Sequence, residues 1–272
     1  MKQYFMMRRK RVVLVFSGSD PTGGAGLQAD ILTLAQLDCH PLSVVTSVTS
    51  QDTTRVYGVK PLDSVIIREQ TRAVLGDVEV DAFKIGMIPN EKVLDEVVST
   101  LLDFPEKEVI FDPVLAAGGG YEFASSNLVN QIRDKLLPLV TILTPNIKEL
   151  NALNCVDENG PILLGDDQLA AELISLGVKS VLVTGTHADS NDVENRLYDV
   201  SGFLGSWAWP RLDNEYHGSG CTLASAIAGY LVSGEDLKDA VFKGQQFTWN
   251  SLKDGYVIGS GQLIPDRGGG IK

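Results

Sequence analysis

The stretch from Tyr216 to Ala224 reads YHGSGCTLA, with glycines at 218 and 220 on either side of Ser219 and a cysteine at 221. Glycine lets a backbone approach a ligand without Cβ interference, and the first N–H groups of a helix have no intrahelical partner. If a helix begins here, the N–H groups of Gly218, Ser219, Gly220 and Cys221 form a cradle for negative charge, such as that developing on a transferred phosphoryl group. The alternative is an ordinary turn packed through small residues, since the following TLASAIAGY is rich in Ala and Ser. At a helix N-terminus the Cys221 thiol is expected to have a lowered pKa, which would let it act as a base; the alternative is a thiol that only packs and hydrogen-bonds.

Two further segments offer carboxylates. SGSDPTGGAGLQAD, from Ser17, forces an irregular path through Pro21 and the glycines at 23, 24 and 26, then places Asp30 near the start of a helix. There Asp30 either accepts hydrogen bonds from a small polar ring or hydroxyl, or is a surface acid favoured by the helix dipole. Downstream, Asp112 and TPNIKE (Thr144 to Glu149) supply a carboxylate and an Asn146/Glu149 pair three residues apart. Mg2+ is commonly held by one or two carboxylates with water and phosphate filling the rest. The alternative for the pair is a capping box, Asn146 capping and Glu149 reaching back.

The remaining glycine patterns exclude two nucleotide-binding types. There is no GxxxxGK[ST], so no P-loop. GSGCTLA is preceded by the polar RLDNEYH, where a dinucleotide fingerprint needs a buried strand.

Positioning these groups requires elements that the apolar pattern supplies. Short runs rich in β-branched residues recur at 12–16, 42–48, 82–87, 108–112, 140–143 and 180–184, alternating with amphipathic segments such as 26–37, 64–75 and 125–137. Uniformly apolar runs read as strands covered on both faces, and the alternation reads as parallel βα units. The expected fold is α/β, a three-layer α/β/α sandwich with a mostly parallel central sheet. Asn195 to Pro210 breaks the rhythm and predicts an antiparallel hairpin at one edge, followed by helices near 219–232 and 236–254. No linker or repeat interrupts residues 1–272, which predicts one domain, with 1–11 as a flexible extension. In such a sheet ligands bind beyond the carboxyl ends of the strands, where all of the motifs fall.

At 272 residues and 44% apolar content the chain can bury a large core, and its formal charge of −12 disfavours nucleic acid and anionic membranes. Three distant cysteines without a CxxC pair predict free thiols in a reducing compartment. The basic start is followed only by VVLVF, too short for a signal core or a membrane span, so a soluble, cytoplasmic protein is expected.

SGSDPTGGAGLQAD, KIGM, DPV, TPN with Glu149, and HGSGCTLASAIA together resemble the ribokinase-like kinases of vitamin B1 and B6 metabolism, in particular the hydroxymethylpyrimidine/phosphomethylpyrimidine kinases of thiamine biosynthesis. The resemblance runs from about Val12 to Arg267, with the motifs in the family's order. It implies transfer of the γ-phosphate of Mg-ATP to 4-amino-5-hydroxymethyl-2-methylpyrimidine and then to its monophosphate. It also implies a pyrimidine pocket at Gly18, Asp30, Gln51 and Met87, metal at Asp112 and Glu149, ATP contacts at Asn146, Thr184 and Gly185, and an anion hole at Gly218, Ser219, Gly220 and Cys221. Where the superfamily's sugar kinases carry Asp, this branch carries cysteine, as at Cys221. A homodimer is implied as well. Two departures concern charge: KGGH reads TGTH here, with Thr184 in place of lysine, and GKGxGP reads GSGQLIP at 259–265. Pyridoxal or pyridoxine kinase activity is the alternative, and a non-catalytic pyrimidine-binding module a further one. His217 is expected to shape the entry to the anion loop; His40, His187, Cys39 and Cys155 receive no role.

Overall fold

The computed structural model describes residues 9–117, 120–154, 164–185 and 191–268. One sheet of nine strands runs in the order β3-β2-β1-β4-β5-β6-β7-β8-β9. Its strands are β1 (Arg11–Ser19), β2 (Cys39–Gln51), β3 (Val56–Pro61), β4 (Ala82–Ile85), β5 (Glu108–Phe111), β6 (Ile142–Leu143), β7 (Ser180–Val183), β8 (Asp192–Asp199) and β9 (Gly202–Pro210). From β2 through β7 every pairing is parallel, whereas β3 at one edge and β8–β9 at the other are antiparallel.

Alternation along the strands divides the core. Val12, Leu14 and Phe16 of β1 join a cluster with α2 (Ser64–Leu75), α3 (Glu91–Leu102), α4 (Ser126–Gln131), α5 (Ile147–Asn154) and α6 (Asp166–Ser175). Val13 and Val15 face the other way, onto α1 (Gly26–Gln36), α7 (Ser219–Val232) and α8 (Leu237–Lys253). Successive strand residues point to opposite faces, so a strand covered on both sides is apolar throughout. The expected sandwich, the edge hairpin and its two following helices are present.

Four local expectations change. β2 runs well beyond 42–48, to Gln51, and turns back as β3, whose exposed residues and terminal Pro61 suit an edge strand and hid it from an apolar-run reading. The helix expected over 125–137 stops at Gln131 and widens into a π turn (Ile132–Leu136) and a 3-10 turn, because Pro138 has no N–H to continue the ladder. The strand expected at 140–143 starts only at Ile142. Of the flexible extension expected over 1–11, residues 1–8 lie outside the described residues and 9–11 are held in place: Arg11 starts β1 opposite Cys39, Lys10 pairs with Asp38 at 2.9 Å and Arg9 with Asp81 at 3.3 Å.

Candidate active site

At the C-terminal end of the sheet the first loop and the start of α7 pack against each other through backbone. Gly218 is the N-cap of α7 with φ +83°, and a Cβ on it would lie 2.0 Å from the Gly24 carbonyl oxygen. Only glycine meets both conditions. Gly26, φ +56°, likewise begins α1 against the Gly18 carbonyl. The cradle expected from HGSGC is therefore a real helix N-terminus: Gly220 is exposed, Ser219 is partly so, and Cys221 is buried in the first turn.

Asp20 organises the first loop. It accepts from the N–H groups of Thr22 and Ala25, each at 2.8 Å, from the Thr22 hydroxyl at 2.9 Å, and has His217 Nε2 at 2.9 Å. Burial opposes its charge, yet the hydrogen bonds from His217, Thr22 and Ala25 outweigh this and hold its pKa below the usual carboxylate value. His217 thus braces the loop, in keeping with its expected place at the entry.

Beneath the cradle lies a charged cluster set by strand alternation. Phe83 and Ile85 of β4 face the α2–α6 side, so Lys84 faces α1 and α7; by the same rule Asp112, just past β5, faces α7. Lys84 and Asp30 have no exposed side-chain surface, and Lys84 Nζ lies 2.8 Å from Asp30 Oδ1, which also accepts from Ser225 Oγ at 2.7 Å. Burial works against the Lys84 charge, but Asp30, Cys221 and Asp112 raise its pKa above the lysine range. Asp30 is therefore placed under the mouth of the site, with its Oδ1 committed to Lys84 and Ser225.

A Cβ on Gly220 would lie 3.4 Å from Asp112 Oδ1, which brings the expected metal carboxylate to the expected anion cradle. Asp112 is raised in pKa by burial, opposed by Lys84 and by the neighbouring Cys221 thiol and reinforced by Asp30. Asn146 and Glu149 do form the capping box, each backbone N–H donating to the other's side chain at 3.0 Å. Glu149 is pushed up to about 8 by burial and by Asp112, against hydrogen bonds from Asn146 and the Leu115 backbone. Among the described residues no three His, Cys, Asp or Glu side chains are grouped to hold a metal alone. Asp112 Oδ2 is nevertheless buried without a partner, and Asp112 with Glu149, whose pKa it raises, is the donor set of a hard cation that keeps water and phosphate ligands.

The lowered pKa expected for Cys221 is corrected. Burial pushes the thiol up, and Asp112 and Asp30 add to this against Lys84 and the Gly26 backbone, so the free protein holds a thiol and not a thiolate. A helix N-terminus acts over its first turn with about half a charge, and nearby full charges with desolvation outweigh it here.

Gly18 and Met87 are brought together: a Cβ on Gly18 would lie 2.7 Å from Met87 Cε and from Ser47 Oγ, a buried hydroxyl without a partner. Gln51 is half-buried at the end of β2, its Nε2 donating to Thr49 Oγ1 at 2.7 Å. Thr184 is buried and its N–H donates to the Pro145 carbonyl. The Gly185 N–H donates to Asn195 Oδ1 at 3.0 Å, and its lack of a Cβ is required by packing on the Glu194 carbonyl. Thr186, His187 and Cys155 lie outside the described residues; Cys39 and Cys221 are free thiols. Sequence reasoning gave no role to Lys84 or Arg267. A lysine inside the apolar AFKIGM was a visible conflict with its strand, whereas nothing local marks Arg267.

The chain is 37% identical over 265 residues to the chloroplastic thiamine biosynthetic bifunctional enzyme of Arabidopsis thaliana, covering 95% of this chain and 50% of that protein. It spans about half the length of such bifunctional relatives. To the hydroxymethylpyrimidine/phosphomethylpyrimidine kinase of Bacillus subtilis it is 34% identical over 251 residues, 91% of each chain. Its fold superposes on the ADP complex of Bacillus subtilis pyridoxal kinase with a TM-score of 0.86 at 26% identity, covering 95% of this chain and 98% of that one. The family model described as phosphomethylpyrimidine kinase matches residues 20–266, and the chain belongs to that family.

Proposed function

We propose that this chain is a single-domain, ATP-dependent kinase that phosphorylates 4-amino-5-hydroxymethyl-2-methylpyrimidine and then its monophosphate. The observation that carries the reading is the juxtaposition of Asp112 with Gly220 at the open N-terminus of α7, a carboxylate beside backbone donors for an anion. Phosphoryl transfer depends chiefly on positioning and charge neutralisation, because its transition state is loose. In this reading the acceptor ring rests on Gly18 and Met87 with Gln51 at its edge, Ser47 offers it a hydroxyl, and Asp30 acts from below by holding Lys84. The N–H groups of Ser219, Gly220 and Cys221 receive the phosphoryl oxygens, and ATP extends toward Asn146, Thr184 and Gly185.

Asp112 and Glu149 would hold Mg2+, which when bound supplies charge neutralisation to the phosphates of ATP. The Cys221 thiol, protonated and beside Asp112, is placed in this reading where the acceptor oxygen would approach. Its part is to orient that oxygen and to take up the alcohol proton while releasing its own toward Asp112 as the new bond forms. The reading includes a homodimer in the cytoplasm; no helix among the described residues is long and apolar enough to cross a membrane.

The likeness to pyridoxal kinase supports a second reading, since pyridoxal also presents a hydroxymethyl group on a flat nitrogen ring. Incubation with Mg-ATP and hydroxymethylpyrimidine, its monophosphate or pyridoxal, followed by mass analysis, separates the two. Products one and two phosphoryl groups heavier than hydroxymethylpyrimidine are expected. Phosphorylation of pyridoxal alone would favour the second reading, and no product with any acceptor would overturn both.

A further inference from the structure

Lys84 and Arg267 are the two Lys or Arg side chains buried among the described residues, and they differ in their surroundings. Lys84 has Asp30 at 2.8 Å. Arg267, 3% exposed, bonds to no carboxylate: Nε donates to Thr222 Oγ1 at 2.9 Å, and Nη2 donates to the carbonyls of Gly24 at 2.5 Å and Gly218 at 3.5 Å. Nη1 is buried without a partner. The two carboxylates near enough to influence it, Asp30 and Asp20, make their hydrogen bonds elsewhere, Asp30 Oδ1 with Lys84 and Ser225 and Asp20 with Thr22, Ala25 and His217.

The segment that carries Arg267 is fixed on the same two loops. Leu263 N–H donates to the Glu215 carbonyl, His217 N–H donates to the Leu263 carbonyl, and Ile264 lies over Gly24. Thr222 Oγ1, which accepts from Arg267, itself donates to the Gly218 carbonyl at 2.8 Å. One guanidinium therefore joins the first glycine loop to the turn that opens α7. In a trans peptide the C=O and N–H point in opposite directions. Drawing the Gly24 carbonyl toward Arg267 turns the Ala25 N–H to Asp20, as observed at 2.8 Å, and drawing the Gly218 carbonyl inward turns the Ser219 N–H outward to the mouth.

A buried charge with an unmade hydrogen bond is unfavourable unless an opposite charge completes the site. We infer that Arg267 is a positioning residue for phosphoryl transfer: it sets the backbone donors of the α7 cradle, and its unmatched charge is completed by a phosphate group seated there. The inference rests on the kinase reading above.

Inorganic phosphate tests it without turnover. Millimolar phosphate is expected to raise the thermal midpoint of the wild type, with the rise lost in Arg267→Met and partly kept in Arg267→Lys. With Mg-ATP and acceptor, kcat is expected to fall about 100-fold in R267M and about 10-fold in R267K, in the range of a lost transition-state donor, while the acceptor KM stays within about threefold. If R267M does not fold, Thr222→Val, which removes the hydroxyl that accepts from Nε, is read in its place and is expected to lose the phosphate effect. Variants that retain kcat and the phosphate-induced rise overturn the inference, as does a wild type that phosphate does not stabilise. A wild type stabilised by phosphate but inactive with every acceptor would sink the kinase reading alone, and loss of the phosphate effect in R267M would still support Arg267 as the anchor of the cradle.

Discussion

Lys84 Nζ lies 2.8 Å from Asp30 Oδ1, with neither side chain exposed, and the pair joins β4 to α1 directly below the start of α7. A buried ion pair gains little over an apolar replacement, but removing one member leaves an uncompensated charge and costs about 3–5 kcal/mol. Lys84→Met and Asp30→Asn should each lower stability by that order in urea denaturation. The double variant should be less destabilised than the sum of the two. Additive losses would show that the two groups do not depend on each other.

Asp20 and His217 give an acid-side prediction. The folded-state pKa of Asp20 is depressed, so its contribution is present above the unfolded carboxylate value of about 3.9 and is lost as pH falls through the lower folded value. Asp20→Asn should cost about 1–3 kcal/mol at pH 7, because Thr22, Ala25 and His217 lose a charged acceptor. As pH falls through that lower folded value the wild-type and variant stabilities should converge. A gap that persists unchanged to low pH would assign the effect to packing.

Much of the layout was legible in the sequence because it is local. VVLVF, EVIFD and SVLVT are strands covered on both faces, and the glycines of HGSGC do open a helix. What escaped notice depends on contacts between distant segments. Gly220 and Asp112 meet only because β5 ends under α7, and Arg267 reaches Thr222 across 45 residues and Gly24 across 243. The Cys221 expectation failed for the same reason: the helix-terminus effect was visible in the sequence, but burial and the carboxylates of Asp112 and Asp30 were not. β3 was hidden because an edge strand need not be apolar, and its register on β2 shows only in the fold.

Gly218 and Gly234 separate backbone strain from site geometry, since both have positive φ, +83° and +97°. A residue with a Cβ pays about 1–2 kcal/mol in that conformation. Around Gly234 a Cβ meets nothing within 4 Å, so Gly234→Ala should lose about that much stability and retain kcat. Gly218→Ala adds a collision with the Gly24 carbonyl that must displace the cradle, and kcat should fall at least about 100-fold. Equal activity of the two variants at matched folded concentration would remove the cradle from the mechanism.

The two proposed transfers ask different things of Cys221. An alcohol must lose a proton as it is phosphorylated, whereas a phosphate monoester already presents an anionic oxygen near neutral pH. Burial raises the Cys221 pKa, so any proton it accepts must be matched by one it delivers to the neighbouring Asp112. Cys221→Ala removes that relay and should slow transfer to the alcohol by about 100-fold, within the usual range for general acid–base catalysis, and transfer to the monophosphate by less than about tenfold. Cys221→Ser, which keeps a hydroxyl able to donate and accept, should recover most of the first step. Single-turnover measurements with each acceptor provide the comparison. Equal slowing of both steps in C221A would restrict the thiol to lining the cradle, and the orientation of the acceptor would then fall to Asp112 and the backbone of Gly220.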